Sequence, residues 1–67
     1  MVRQYLLRMR LDHAQYLLRN TEDTILVVAL DVGFYDHAHF TRTFRREKGM
    51  SPKQYRKQTK EAQVRIS

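Results

Sequence analysis

The chain has 67 residues, 13 of them Lys or Arg against 7 Asp or Glu, for a formal net charge of +6. That length admits a single domain, and a chain so short buries only about 60% of the surface it exposes when unfolded. Cysteine is absent, which excludes disulfides and thiolate zinc sites, and the longest apolar run, Ile25 to Leu30, is far short of the ~20 residues of a membrane span.

The first predicted helix covers about Val2 to Arg19. Leu7, Leu11, Ala14 and Leu18 recur at helical spacing, with Leu6, Arg10 and Leu17 beside them, and no Gly or Pro interrupts the run. Arginines inside its short apolar patches argue against a signal peptide, so a reducing, cytoplasmic compartment is expected. Asn20 and Thr21 end it. A second helix is predicted from about Thr24 to Asp31, with Asp23 as its N-cap and Thr21 as the alternative. Ile25, Val28, Ala29 and Val32 form its inward face.

Gly33 and Phe34 follow. A small residue, Ala29, stands four positions before the glycine, and apolar spacing resumes at Phe40 and Phe44. This is the grammar of a helix-turn-helix. A small side chain lets the second helix cross closely, and glycine tolerates the positive φ of the turn. Asp36 is the expected N-cap of the third helix, and Gly49 its C-cap, with Arg45, Arg46 and Lys48 near its negative end. Ser51-Pro52-Lys53-Gln54 reads as a capping box with proline at the first helical position. It opens a short fourth helix carrying Tyr55. The segment after Lys60 has no clear pattern and is expected to fray. No strand signal is present. Phe40 and Phe44 are expected in one core with Leu11, Leu18, Ile25, Val28 and Tyr55.

Charge is distributed unevenly. Residues 42 to 60 hold Arg42, Arg45, Arg46, Lys48, Lys53, Arg56, Lys57 and Lys60, opposed there only by Glu47. Residues 20 to 36 hold Glu22, Asp23, Asp31 and Asp36 with no Lys or Arg. A one-sided positive field attracts and steers a polyanion. At about 100° per residue, Phe40 and Phe44 share one face of the third helix. Ala38, Thr41, Arg42 and Arg45 fall on the other. Arg42 can offer a bidentate fork to guanine, and Thr41 or Ala38 can touch a thymine methyl. Arg45, Arg46 and Lys48, with Lys53, Arg56 and Lys57 on the fourth helix, suit phosphates.

Other chemistries lack their residues. His37 and His39 diverge by about 200° on a helix and cannot share a metal ion, and His13 has no clustered ligand near it. No nucleophile triad, carboxylate pair or Gly-rich phosphate loop is evident, so no catalysis, cofactor or metal is expected. A chain of this size also has little room for a small-molecule cavity.

The residues Tyr5-Leu6, Arg10-Leu11, Ala14, Leu17-Leu18, Thr21, Ile25, Val28-Ala29, Gly33-Phe34, Asp36, Phe40, Arg42, Phe44, Gly49, Ser51-Pro52 and Tyr55-Arg56 resemble the DNA-binding region of the AraC/XylS transcriptional regulators. The resemblance covers about residues 5–57. It implies an all-α, homeodomain-like fold: a linker helix over 1–20, a helix-turn-helix subdomain over 21–60 and a tail over 61–67. It further implies that a first helix-turn-helix subdomain, and any effector domain, lies outside this chain. By position in the family, His37, Ala38, Thr41 and Arg42 approach bases. The wheel agrees for the last three and leaves His37 beside the inward face, in the first turn. Sequence-specific binding of double-stranded DNA follows as the expected function, with the recognition helix at about 36–48. The alternative is a helical interaction or dimerisation module. Tyr5, Leu6, Met9 and Tyr16 are expected to be exposed on the first helix and to invite self-association. A membrane-surface role is not expected, because basic and aromatic residues are not segregated along one helix.

Overall fold

A computed structural model describes the backbone of residues 2–66 and the side chains of residues 6–60. Four helices follow one another: α1 Val2–Asn20, α2 Ile25–Asp31, α3 His37–Lys48 and α4 Pro52–Ile66. The described residues contain no strand. The all-α expectation is met.

The end of α1 is closed by two polar side chains that bond back one turn. Asn20 Nδ2 donates to the Tyr16 carbonyl at 2.8 Å, and Thr21 Oγ1 donates to the Leu17 carbonyl at 2.7 Å. Thr21 is thereby committed to the preceding helix, and its Oγ1 also accepts from the Asp23 N–H at 3.3 Å. The N-cap of α2 is therefore Thr24, not Asp23 or Thr21. Helical backbone begins only at Ile25, and Thr24 holds the extended conformation with its side chain accepting from the Val27 N–H.

Seven residues are too few for a stable isolated helix, so α2 depends on packing. Val28 and Ala29 are fully buried. The turn then satisfies the last carbonyls of α2: Gly33 N–H donates to Leu30 at 3.1 Å and Phe34 N–H to Ala29 at 2.9 Å. Gly33 takes a φ of +97° to do so.

The caps of α3 and α4 follow the sequence. Asp36 Oδ1 accepts from the His39 N–H at 2.7 Å, and Gly49 ends α3 with a φ of +83°. Ser51 and Gln54 cap each other reciprocally, at 3.1 and 3.3 Å. The length of α4 differs from expectation. It runs 15 residues, through Ile66, where a short helix and a patternless segment after Lys60 were expected. Backbone propensity explains this, since no Gly or Pro follows Pro52 and residues such as Lys60, Glu61, Ala62 and Gln63 favour helix.

The core comprises Leu11, Ala14 and Leu18 of α1, Val28 and Ala29 of α2, Val32, Phe34, and Phe40 and Phe44 of α3, with Ile25 and Tyr55 partly buried against them. A chain of rings runs through it. Phe34 meets Phe40 at 5.2 Å, Phe40 meets Phe44 at 5.7 Å, and Phe44 meets Tyr55 at 5.9 Å between centroids. These contacts fix the rotation of α3 about its axis and seat it between α2 and α4. Lys60 also bonds Glu22 at 2.8 Å and holds that carboxyl below its ordinary range, through the hydrogen bond first and the charge second.

Candidate nucleic-acid interface

The inward sector of α3 is wider than the sequence suggested. Thr43 is buried along with Phe40 and Phe44. The opposite sector carries Ala38, Arg42 and Arg45, all exposed, and His37 is exposed at the first turn. Thr41 is the exception. It was expected on the free face, but it is only partly exposed, and its buried Oγ1 has no hydrogen-bond partner among the described residues. The reason is its place about 100° from Phe40. It lies on the same side as Phe44, which packs against Tyr55 of α4.

The cations divide by what they already hold. Among the described residues Arg42, Arg45, Lys53 and Lys57 are exposed and pair with no carboxylate. Arg46 pairs with its neighbour Glu47 at 3.1 Å, with both side chains well exposed. Such a surface pair is weak and readily exchanged. Lys48 is different. Its Nζ donates to Asp12 at 2.9 Å and its side chain is only 22% exposed, so it ties α3 to α1.

Arg56 departs furthest from the expectation of a phosphate contact. Its guanidinium donates to the Leu18 carbonyl at 3.1 Å, to the Thr21 carbonyl at 3.3 Å and to the Asp23 carbonyl. It clamps α4 onto the end of α1 and the loop that follows. A positive group there also meets the negative end of the α1 dipole. No local sequence signal marks this, since the partners lie more than thirty residues away and are backbone atoms.

Arg10 was read as a neighbour of the α1 stripe and as part of the family resemblance, with no role in the site. The structure places its guanidinium over Gly33, where a Cβ on the glycine would stand 3.3 Å from Nε. Tyr35, also unassigned by sequence, is 94% exposed immediately before the α3 cap. Among the described residues no group of His and acidic side chains is placed to hold a metal ion, and no helix is long and apolar enough to cross a membrane.

A buried ring pair on one side of α3 and free arginines on the other make a helix built to present one polar face. Residues 1–58 match a family described as "Helix-turn-helix domain". The HTH-type transcriptional activator RhaR of Klebsiella pneumoniae is 44% identical over 61 residues, which is 91% of this chain and 22% of that protein. The chain belongs to the AraC-type helix-turn-helix family. A second AraC-type relative, the melibiose operon regulatory protein of Escherichia coli K12, is 45% identical over 56 residues, or 84% of this chain and 18% of its own length. The chain therefore spans about a fifth of the curated AraC-type relatives it matches. A solved structure, the C-terminal domain of the two-component response regulator yesN from Fusobacterium nucleatum, superimposes with a TM-score of 0.79 at 39% identity. That match covers 81% of this chain and 52% of the other. DNA-binding transcription regulation is the function of the AraC-type family.

Proposed function

We propose that this chain is a sequence-reading module of an AraC-type transcriptional regulator, with α3 lying in the major groove of double-stranded DNA. The observation that carries this is the opposition on α3 of the buried Phe40–Phe44 pair and the unpaired, exposed Arg42. A helix about 10–12 Å wide fits a major groove about 12 Å wide. Its N-terminal half then reaches the base edges. Arg42 donates in a fork to guanine O6 and N7, and Ala38 packs on a thymine methyl. His37 reaches in from the first turn, and Thr41 reads at the edge of the face. Arg45, Lys53 and Lys57 hold the phosphates of one strand and Arg46 those of the other.

Residues 1–20 serve as the linker helix and 21–60 as the second of two helix-turn-helix subdomains. The 52% share of the yesN chain covered by the match supports a second unit of similar size. One recognition helix neutralises few phosphates, so the affinity of this chain alone lies near the ~10⁻⁴ to 10⁻⁶ M of non-specific binding at physiological salt. The DNA it meets is cytoplasmic. Self-association through the outer face of α1 belongs to the same proposal, supported by the exposure of Leu6 (46%), Met9 (51%) and Tyr16 (55%). The side chain of Tyr5, expected in that patch, lies outside the described residues.

The test is a titration of a labelled, mixed-sequence duplex at rising salt. The expected log–log slope is about −0.9 per phosphate neutralised. Absence of binding at low salt, or binding indifferent to salt, refutes the proposal.

A further inference from the structure

The structure points to a second DNA-phosphate wall, made by α1 and the turn, on the side of α3 opposite α4. We propose that Arg10 and Tyr35, with His39 and Arg46, grip the backbone of the strand that α4 does not reach. This inference rests on the DNA reading of α3.

An open groove of about 480 Å³ lies where α1, the turn and α3 meet, and Arg10, Gly33, Phe34, Tyr35, His39 and Arg46 are among its lining residues. None of its described lining residues carries a carboxylate. Two guanidiniums and an imidazole therefore face one space whose floor is aromatic. The imidazole is held there by an edge contact with Phe34, 5.3 Å between centroids. Arg46 donates to a single exposed carboxylate, that of Glu47, at 3.1 Å.

Helical geometry places this groove beside the base-reading face. With Phe40 at zero, Arg42 lies at about 200°, and Arg46 and His39 follow at about 240° and 260°. Arg45 lies on the other flank, at about 140°, toward α4 and its Lys53 and Lys57. A helix that fills the major groove presents both flanks to phosphates, because a strand of backbone borders the groove on each side. The basic α4 serves one border. Among the described residues, without Arg10 and Tyr35 the other border would rest on Arg46 and His39.

Gly33 gives the wall its second condition. The guanidinium of Arg10 crosses the turn over the glycine, with Nε, Cζ and Nη2 at 3.3, 3.4 and 3.7 Å from where a Cβ would stand. The absent side chain opens the path by which an α1 cation reaches the α3 flank. Tyr35, at 94% exposure, has no packing role in the fold. Its phenol O–H is free to donate to a phosphate oxygen at the mouth of the same groove.

The experiment measures the salt slope of the 67-residue chain on a mixed-sequence duplex, for variants that change charge at the rim. Tyr35→Lys is expected to steepen the slope by about 0.9, and Arg10→Gln to make it shallower by about the same amount. Tyr35→Glu is expected to weaken binding to all duplexes about equally. His13→Lys and His13→Glu, at an exposed position of α1 outside the groove, are the controls for net charge and are expected to shift the slope little. Because Tyr35 is exposed, its variants report even if Arg10→Gln fails to fold. Tyr35 variants that behave like the His13 variants, while Lys57→Gln still lowers the slope, overturn the second wall and leave the DNA reading standing. A wild-type chain with no salt-dependent binding overturns both.

Discussion

The guanidinium of Arg10 lies against the bare Cα side of Gly33, a residue held at a φ of +97°. Two constraints thus meet at one position, and they differ in size. The neighbour at 3.3 Å is the far end of a flexible side chain and can move aside. The backbone conformation cannot, because the turn bonds of Gly33 and Phe34 to α2 depend on it. Gly33→Ala is expected to destabilise by about 1–2 kcal/mol, the left-handed penalty of an L-residue. The same loss is expected in an Arg10→Ala background, to within about 0.5 kcal/mol. A double-mutant cycle by denaturant melts checks this; rescue of Gly33→Ala by Arg10→Ala would make the contact, not the backbone, the source of the strain.

Phe40 and Phe44 are fully buried and sit in the middle of the ring chain from Phe34 to Tyr55. Either alanine replacement is expected to cost about 3–5 kcal/mol. A domain of this size holds on the order of 3–10 kcal/mol in all. Circular dichroism melts should show a large fall in midpoint or a chain already unfolded at 25 °C. A cooperative melt little moved by Phe44→Ala would contradict the packing.

Arg56 and Lys57 are neighbours in different surroundings: Arg56 bonds backbone carbonyls and Lys57 is exposed. Arg56→Gln removes a cation from three backbone carbonyls and is expected to destabilise by about 2 kcal/mol. The folded variant should keep the salt slope of the parent. Lys57→Gln should leave the melt in place and make the slope shallower by about 0.9. Slopes and melts measured on both variants decide the matter; a shallower slope for folded Arg56→Gln would return that residue to the phosphates.

Most of the fold was legible because its punctuation is local. Asp36, Gly49 and the Ser51–Gln54 box act within three or four residues of themselves, and Gly33 is needed for its own φ. The stripe Leu11, Ala14, Leu18 and the pair Phe40, Phe44 announce their faces by spacing alone. Several features lay beyond the sequence because they depend on groups distant along the chain. Arg56 binds carbonyls of the α1–α2 junction, Lys48 binds Asp12, and Arg10 reaches Gly33. A helical wheel cannot foresee how a neighbouring helix covers Thr41. The N-cap of α2 moved to Thr24 because Thr21 was already spent on Leu17.

Thr41 offers a test of its own. Its buried Oγ1 lacks a partner among the described residues, so the hydroxyl contributes little to the fold. Thr41→Val is expected to leave stability unchanged or to raise it by up to about 1 kcal/mol. The valine keeps a methyl at the edge of the reading face, so preference for a thymine there should survive. A loss of more than about 1 kcal/mol in the melt would mean that the hydroxyl is bonded in solution.

In the proposed complex α3 reads bases through Arg42 and does not merely add charge. Selection of bound duplexes from a random-sequence pool, run in parallel for the wild-type chain and for Arg42→Ala, tests it directly. The wild type should enrich a preferred sequence containing a guanine, and Arg42→Ala should lose that preference at one position while binding the favoured duplex more weakly by about 1–3 kcal/mol. Lys57→Ala, as the comparison, should weaken every duplex alike. If Arg42→Ala enriches the same sequences as the wild type and differs only in overall affinity, Arg42 is a phosphate contact and α3 is not a recognition helix.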